Sequence, residues 1–168
     1  IILAQVSRGC LASCMQLSFF SSIADMLERF ASKEIQEKYV PQIVKGEISG
    51  AMCLTEANCG SDLGAIKTTA SLKKDGTYSI NGTKIFITNA GELGLVLARV
   101  DGAPEGLDGI SMFLVDQNDG YGEGLNFKVT KNEDKMGLHG SFTCEILYEN
   151  TKGYLIGKEN EGFKQMLH

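Results

Sequence analysis

Histidine is nearly missing from this 168-residue chain: His139 and His168 stand far apart. The five cysteines, Cys10, Cys14, Cys53, Cys59 and Cys144, contain no Cys-x-x-Cys pair. Structural zinc draws its ligands from close-set Cys and His pairs, so no metal site is expected. An odd number of unpaired thiols also argues against a disulfide framework and for reduced packing residues, which fits a cytoplasmic compartment. There is no basic excess: 16 Lys and Arg face 21 Asp and Glu, a formal net charge of -5. That removes the basic face of a phosphate-tracking nucleic-acid binder. No apolar run approaches the length of a membrane span. No G-x-G-x-x-G follows a strand pattern and no Walker-type P-loop occurs, so a Rossmann or P-loop nucleotide site is not expected. Ile1 to Val6 has no basic region before it and no small-residue cleavage site after it, so no signal peptide is expected. The chain does not begin with Met, and a helical pattern is still running at His168. A piece of a longer protein is the expectation.

What is present is ordinary for a globular chain: 43% hydrophobic and 22% charged residues. From Ile1 to about Lys45 the apolar residues keep helical spacing, with Leu17, Phe20, Ala24, Leu27 and Phe30 on one face. Cys10 and Cys14, four apart, suit two small core residues on one helix face. Ser32 is placed to cap a helix running through Glu34 to Tyr39. Pro41 suits the first turn of a further short helix, and Gly46 its exit.

From Ile48 the period changes. Ser71–Leu72 and Tyr78–Ile80 read as strands joined by an Asp75-Gly76 turn. Asn81-Gly82 is a second turn signal, leading into Thr83–Thr88. Val96–Val100, Ile110–Val115, Phe127–Thr130 and Phe142–Tyr148 complete the set. About seven strands at spacings of roughly 10 to 15 residues point to an antiparallel barrel or sandwich. Beyond Gly157 the helical pattern returns, with Phe163, Met166 and Leu167 on one face. The fold class expected is α+β, an antiparallel β-barrel or sandwich flanked by α-helices.

Three stretches could carry chemistry. In Met52-Cys-Leu-Thr-Glu-Ala-Asn-Cys-Gly-Ser-Asp-Leu63, Gly60 lets the backbone turn sharply or approach a ligand, and Ser61-Asp62 could offer a hydroxyl and N–H groups to an anion. In Asn81–Ala90, Phe86 and Thr88 could present a ring and a hydroxyl to a planar ligand. In Lys135–Glu145, His139 could act as an acid or base. Each alone is more simply a turn, a hairpin edge or a structural loop.

Their order and separation change that. Leu54-Thr-Glu56 followed by Gly60-Ser-Asp62, Asn81-Gly82 with Lys84-Ile-Phe-Ile-Thr-Asn89, and Lys135-Met-Gly137 with Leu155-Ile-Gly157 and Gly162-Phe163 together resemble the acyl-CoA dehydrogenase family over essentially the whole chain. The resemblance implies that residues 1–47 are the end of an N-terminal helical domain, 48–156 a middle β-domain, and 157–168 the start of a C-terminal helical domain. Phe86 and the Leu138-His-Gly-Ser141 stretch are most similar to the branch holding 3-methylmercaptopropionyl-CoA dehydrogenases and long-chain relatives.

The resemblance further implies FAD as cofactor. Met52, Cys53, Leu54, Thr55, Gly60 and Ser61 would line it, with the Thr55 hydroxyl and nearby backbone bonding the ring. Ser61 would lie where cofactor and acyl-CoA substrate meet. Phe86, standing where many members have Trp, Ile87 and Thr88 would meet the flavin. Ala57 stands where Pro is usual and Cys59 where Ala is usual, which implies a less rigid loop. The implied reaction is α,β-dehydrogenation of an acyl-CoA, with an electron-transferring flavoprotein as acceptor and a homo-oligomeric full-length enzyme. The glutamate base is expected outside this chain, and neither Glu56 nor Glu145 is given that role. An acyl-CoA oxidase or another flavoprotein of the superfamily is an alternative; a cofactor-free β-module for protein interaction is one of another class.

Overall fold

A computed structural model describes residues 1–167, and His168 lies outside the described residues. Three helices come first: α1 (Ile2–Gly9), α2 (Leu11–Phe30) and α3 (Lys33–Val44). Cys10, in extended backbone, breaks α1 from α2. It is exposed while Cys14 is buried, so the two thiols do not share a core face as their spacing suggested. Ile23, Ala24, Met26 and Leu27 form the buried side of α2, whereas Leu17 is exposed.

Ser32 caps α3 as expected, its Oγ accepting the Ile35 N–H at 3.4 Å. At the other end Gly46 has φ +73. Its N–H reaches the Ile43 carbonyl and the Glu47 N–H reaches Gln42, the two bonds of a Schellman exit that a left-handed glycine permits. Pro41 does not open a second helix but lies inside α3. Tyr39 and Ile43, four apart and both buried, hold that face against the rest of the chain, and this packing outweighs the one backbone bond that proline removes.

Among the described residues seven strands follow: β1 (Gly50–Cys53), β2 (Thr69–Leu72), β3 (Tyr78–Thr88), β4 (Leu93–Val100), β5 (Ile110–Asp116), β6 (Lys128–Asn132) and β7 (Thr143–Ile156). Their order is β1-β4-β2-β3-β7-β5; β5 also pairs with β4, which closes a barrel, and β6 lies against β7. The pairings are antiparallel except two: β1 and then β2 run parallel to β4 along one of its edges. A short helix, α4 (Gly162–Met166), ends the described chain.

Two sequence expectations fail here for identifiable reasons. Asn81-Gly82 is not a hairpin turn; it is a register shift inside the single strand β3. The Asn81 Oδ1 accepts the Asn150 N–H from β7 at 2.8 Å, and a Cβ on Gly82 would overlap Thr68. β7 runs on past Tyr148, because its polar second half is paired internally. Thr151, fully buried, donates to the Asn126 carbonyl at 2.8 Å, and Asn126 bonds both ways with Lys152.

The alternation of β4 divides the core into two layers. Leu95 and Leu97 face the helices, meeting Ile23, Leu27 and Ile43, while Val96 and Ala98 fill the barrel with Ile80, Phe113 and Tyr148. The Tyr39 hydroxyl donates to Asp116 Oδ2 at 2.9 Å, tying α3 to the end of β5.

Candidate functional site

The chain leaving β1 is held on both sides. Cys53 is buried inside the barrel, whereas Met52 and Leu54 are half-buried against the helix-side core. Thr55 is half-buried, and its carbonyl accepts the Ile85 N–H of β3 at 2.9 Å. Glu56 and Cys59 then exchange backbone bonds of 2.8 and 3.1 Å, closing a tight loop. Cys59 sits buried in the core and is a packing residue. Gly60 and Ser61 follow, both exposed. Gly60 is not forced by its backbone: a Cβ there would lie 3.8 Å from Thr55 Cγ2, in ordinary contact. The sharp turn expected of it is made by Glu56–Cys59.

On β3 the decisive feature is a bulge. Lys84 pairs with Ile146 and Ile87 with Cys144, so β3 carries one residue more than β7 over this interval. Phe86 absorbs it at φ +57, a left-handed conformation unusual for an aromatic residue. The extra residue shifts the alternation. Lys84 and Ile87 both point inward and are buried, while Phe86 is 60% exposed and Thr88 is half-buried opposite Thr143. Without the bulge Phe86 would point into the barrel. Ile87 and Cys53 point inward, so their side chains belong to the core and it is their main chain that they offer to a ligand. Asn89, also left-handed and buried, ends the strand, its Nδ2 donating to the Gly50 carbonyl at 3.1 Å and its N–H to Phe142 at 3.0 Å.

Behind this surface lies a buried ion pair. Lys84 Nζ is 2.8 Å from Glu56 Oε1 and 2.9 Å from the Leu54 carbonyl, with the lysine side chain fully buried. Glu56 Oε1 also accepts from the Thr68 hydroxyl at 2.6 Å and its N–H at 3.1 Å, and Oε2 accepts the Lys67 N–H at 2.8 Å. Burial works to raise the Glu56 carboxyl, but the Lys84 charge and the Thr68 and Lys67 bonds hold it below the usual carboxylate value. Burial pulls the Lys84 ammonium below the ordinary lysine value, opposed by Glu56. Both groups shift downward, for opposite reasons. The signal for this pair in the sequence was slight: an acid in the loop after β1 and a lysine in the β-patterned Thr83–Thr88 stretch.

The three stretches therefore meet at one end of β3. Thr55 lies beside Ile85, three residues or roughly 10 Å of strand from Thr88. Gly60 lies beside Thr55 and carries Ser61 with it. Among the described residues the Thr55, Ser61 and Thr88 hydroxyls have no hydrogen-bond partner. Uncommitted hydroxyls around an exposed aromatic ring suit a planar heteroaromatic with an apolar face and a polar rim, and an isoalloxazine fits that description. His139 is exposed in the loop before β7. Glu145 accepts the Thr130 hydroxyl at 2.7 Å. No group of three or more His, Cys, Asp or Glu able to hold a metal occurs among the described residues.

Residues 51–151 match the family described as acyl-CoA dehydrogenase, middle domain. The acryloyl-CoA reductase (NADH) of Anaerotignum propionicum is 37% identical over 169 residues, covering 98% of this chain and 42% of that protein. The butyryl-CoA dehydrogenase structure from Megasphaera elsdenii superposes with a TM-score of 0.82 at 35% identity, covering 92% of this chain and 40% of that one. A chain from a study of the electron transferring flavoprotein of Acidaminococcus fermentans superposes with a TM-score of 0.80 at 37% identity, covering 92% and 40%. The chain thus spans about two-fifths of the length of the relatives it matches. With more than half of its residues inside the family match and the barrel closed as described, the chain belongs to the acyl-CoA dehydrogenase family.

Proposed function

We propose that the protein containing this chain is an FAD-dependent acyl-CoA dehydrogenase that converts an acyl-CoA thioester to the trans-2-enoyl-CoA in fatty acid β-oxidation. The observation that carries this reading is the outer face of β3, where Phe86 and Thr88 stand exposed and half-buried beside the Thr55–Ser61 loop. FAD, when bound, supplies the hydride acceptor. The chain's own residues bind and orient: Phe86 offers an apolar surface to the ring, while the Thr88 and Thr55 hydroxyls offer donors to its polar rim. Ser61, at the outer end of the loop, is placed to meet cofactor and substrate together. No base is assigned within the chain, because Glu56 is committed to Lys84, Thr68 and Lys67, and Glu145 to Thr130.

The finer assignment, a 3-methylmercaptopropionyl-CoA or long-chain substrate, follows Phe86 and the Leu138–Ser141 stretch. An electron-transferring flavoprotein as acceptor is supported by the likeness to the Acidaminococcus chain, and a homo-oligomeric enzyme by the family. Five free thiols fit a reducing, cytoplasmic location.

The test is to reconstitute the full-length protein with FAD and assay acyl-CoAs of several lengths with a dye acceptor. A yellow protein that reduces the dye is expected, and this 168-residue segment alone is expected to give no turnover. A colourless full-length protein without turnover would refute the proposal and favour a cofactor-free β-module; peroxide in place of dye reduction would indicate an oxidase. The likeness to an acryloyl-CoA reductase favours a second reading, the same chemistry run toward reduction. Faster enoyl-CoA reduction from NADH than acyl-CoA oxidation would select it.

A further inference from the structure

The geometry points to Lys84 as a positioning residue for the flavin site: its bond to the Leu54 carbonyl fixes the Leu54–Thr55 peptide so that the Thr55 N–H is presented to the cofactor's polar edge. This rests on the flavin reading above. In a planar trans peptide the carbonyl and the following N–H point in opposite directions. The Leu54 carbonyl is drawn to the Lys84 ammonium at 2.9 Å, inside the barrel. The Thr55 N–H is therefore turned away from it, and no partner for that N–H is found among the described residues.

The device is anchored at both ends. Glu56, next in sequence, takes the same ammonium and is itself held by Thr68 and Lys67, so the peptide cannot rotate without breaking a buried, charge-assisted network. Thr55 is also pinned through its own carbonyl to Ile85, the residue next to Lys84. One lysine on β3 thus sets, from behind, the orientation of a donor on the loop, while the bulge two residues later sets that of Phe86 in front. Rigid support of this kind is what a binding site needs to hold its donors to a fraction of an ångström.

The experiment uses the full-length protein and three variants, Lys84→Met, Glu56→Gln and Tyr39→Phe. Glu56→Gln keeps the lysine's bond to Leu54, and Tyr39→Phe weakens the fold at the bond between α3 and Asp116, outside the Lys84 network. Each is checked for folding, titrated with FAD as apoprotein, and measured for flavin absorption and redox potential. Lys84→Met is expected to weaken FAD binding about tenfold, the size of one lost hydrogen bond, and to shift the flavin spectrum and potential. Tyr39→Phe should leave all three flavin readouts as in the parent. Glu56→Gln should weaken binding less than threefold, and it keeps the test decisive where Lys84→Met does not fold: a tenfold loss in Glu56→Gln would overturn the role given to the Leu54 bond. A folded Lys84→Met protein with parental affinity, spectrum and potential would overturn the proposal. If the parent binds no FAD, the functional reading fails instead; the peptide orientation in a crystal structure of Lys84→Met then decides the positioning role by itself, an unchanged Leu54–Thr55 plane sinking it.

Discussion

Removing Lys84 should expose how strained the buried pair is once broken. In Lys84→Met the methionine fills much of the lysine's volume, but Glu56, 9% exposed, loses its only cationic partner among the described residues and the Leu54 carbonyl its lysine donor. Breaking a buried pair from one side costs about 3–5 kcal/mol, most of it the penalty of the orphaned charge. Adding Glu56→Gln to Lys84→Met should therefore restore roughly 1 kcal/mol or more, although two residues have then changed. The pH dependence has a definite sign. In the parent, Glu56 is held below the value of roughly 4.3 typical of an unfolded chain. Its contribution is thus fully present above that value and is lost as pH falls through the folded pKa. In Lys84→Met, burial is opposed only by the Thr68 and Lys67 bonds and raises the carboxyl relative to the parent, a penalty that is full at neutral pH and disappears as Glu56 protonates. The stability gap between parent and variant should therefore narrow on acidification. Denaturant titrations between neutral pH and about 4.5 would measure it. A gap below about 1 kcal/mol at neutral pH, or one that stays constant on acidification, would refute this account of the network.

Tyr39→Phe keeps the buried ring and removes only the hydroxyl bonded to Asp116; a loss of about 1.5–3 kcal/mol is expected for a bond to a charged group, read from the denaturation midpoint. Gly162→Ala would place a Cβ 2.5 Å from the Ser111 carbonyl carbon, against backbone that cannot yield. It should displace α4 from β5 at a cost of about 1–3 kcal/mol, seen as faster proteolysis after Gly157. Of the five thiols, Cys10 alone is exposed, and hydrogen bonds from Ser13 hold it below the usual cysteine value. Iodoacetamide should label Cys10 in the native protein and reach Cys14, Cys53, Cys59 and Cys144 only after denaturation; equal labelling of all five would contradict the packing described.

Local chemistry was legible in the sequence wherever it acted within a few residues. The Ser32 cap, the glycine exit at Gly46, the Asp75-Gly76 turn and the change from helical to alternating period each rest on neighbours along the chain, and each is found. The motif series likewise indicated the family, the loop bearing Thr55 and the strand bearing Phe86 and Thr88. What tertiary structure decided is register. Asn81-Gly82 reads as a turn until β7 offers the Asn150 N–H across it. The second half of β7 reads as polar loop until Asn126 satisfies its buried groups. The outward aim of Phe86 depends on one extra residue relative to a partner nearly 60 positions away. The joining of Glu56 to Lys84 depends on the closure of a barrel whose strands meet out of sequence order. Periodicity records which residues prefer burial, but hydrogen-bond pairing between distant segments determines which way each one faces.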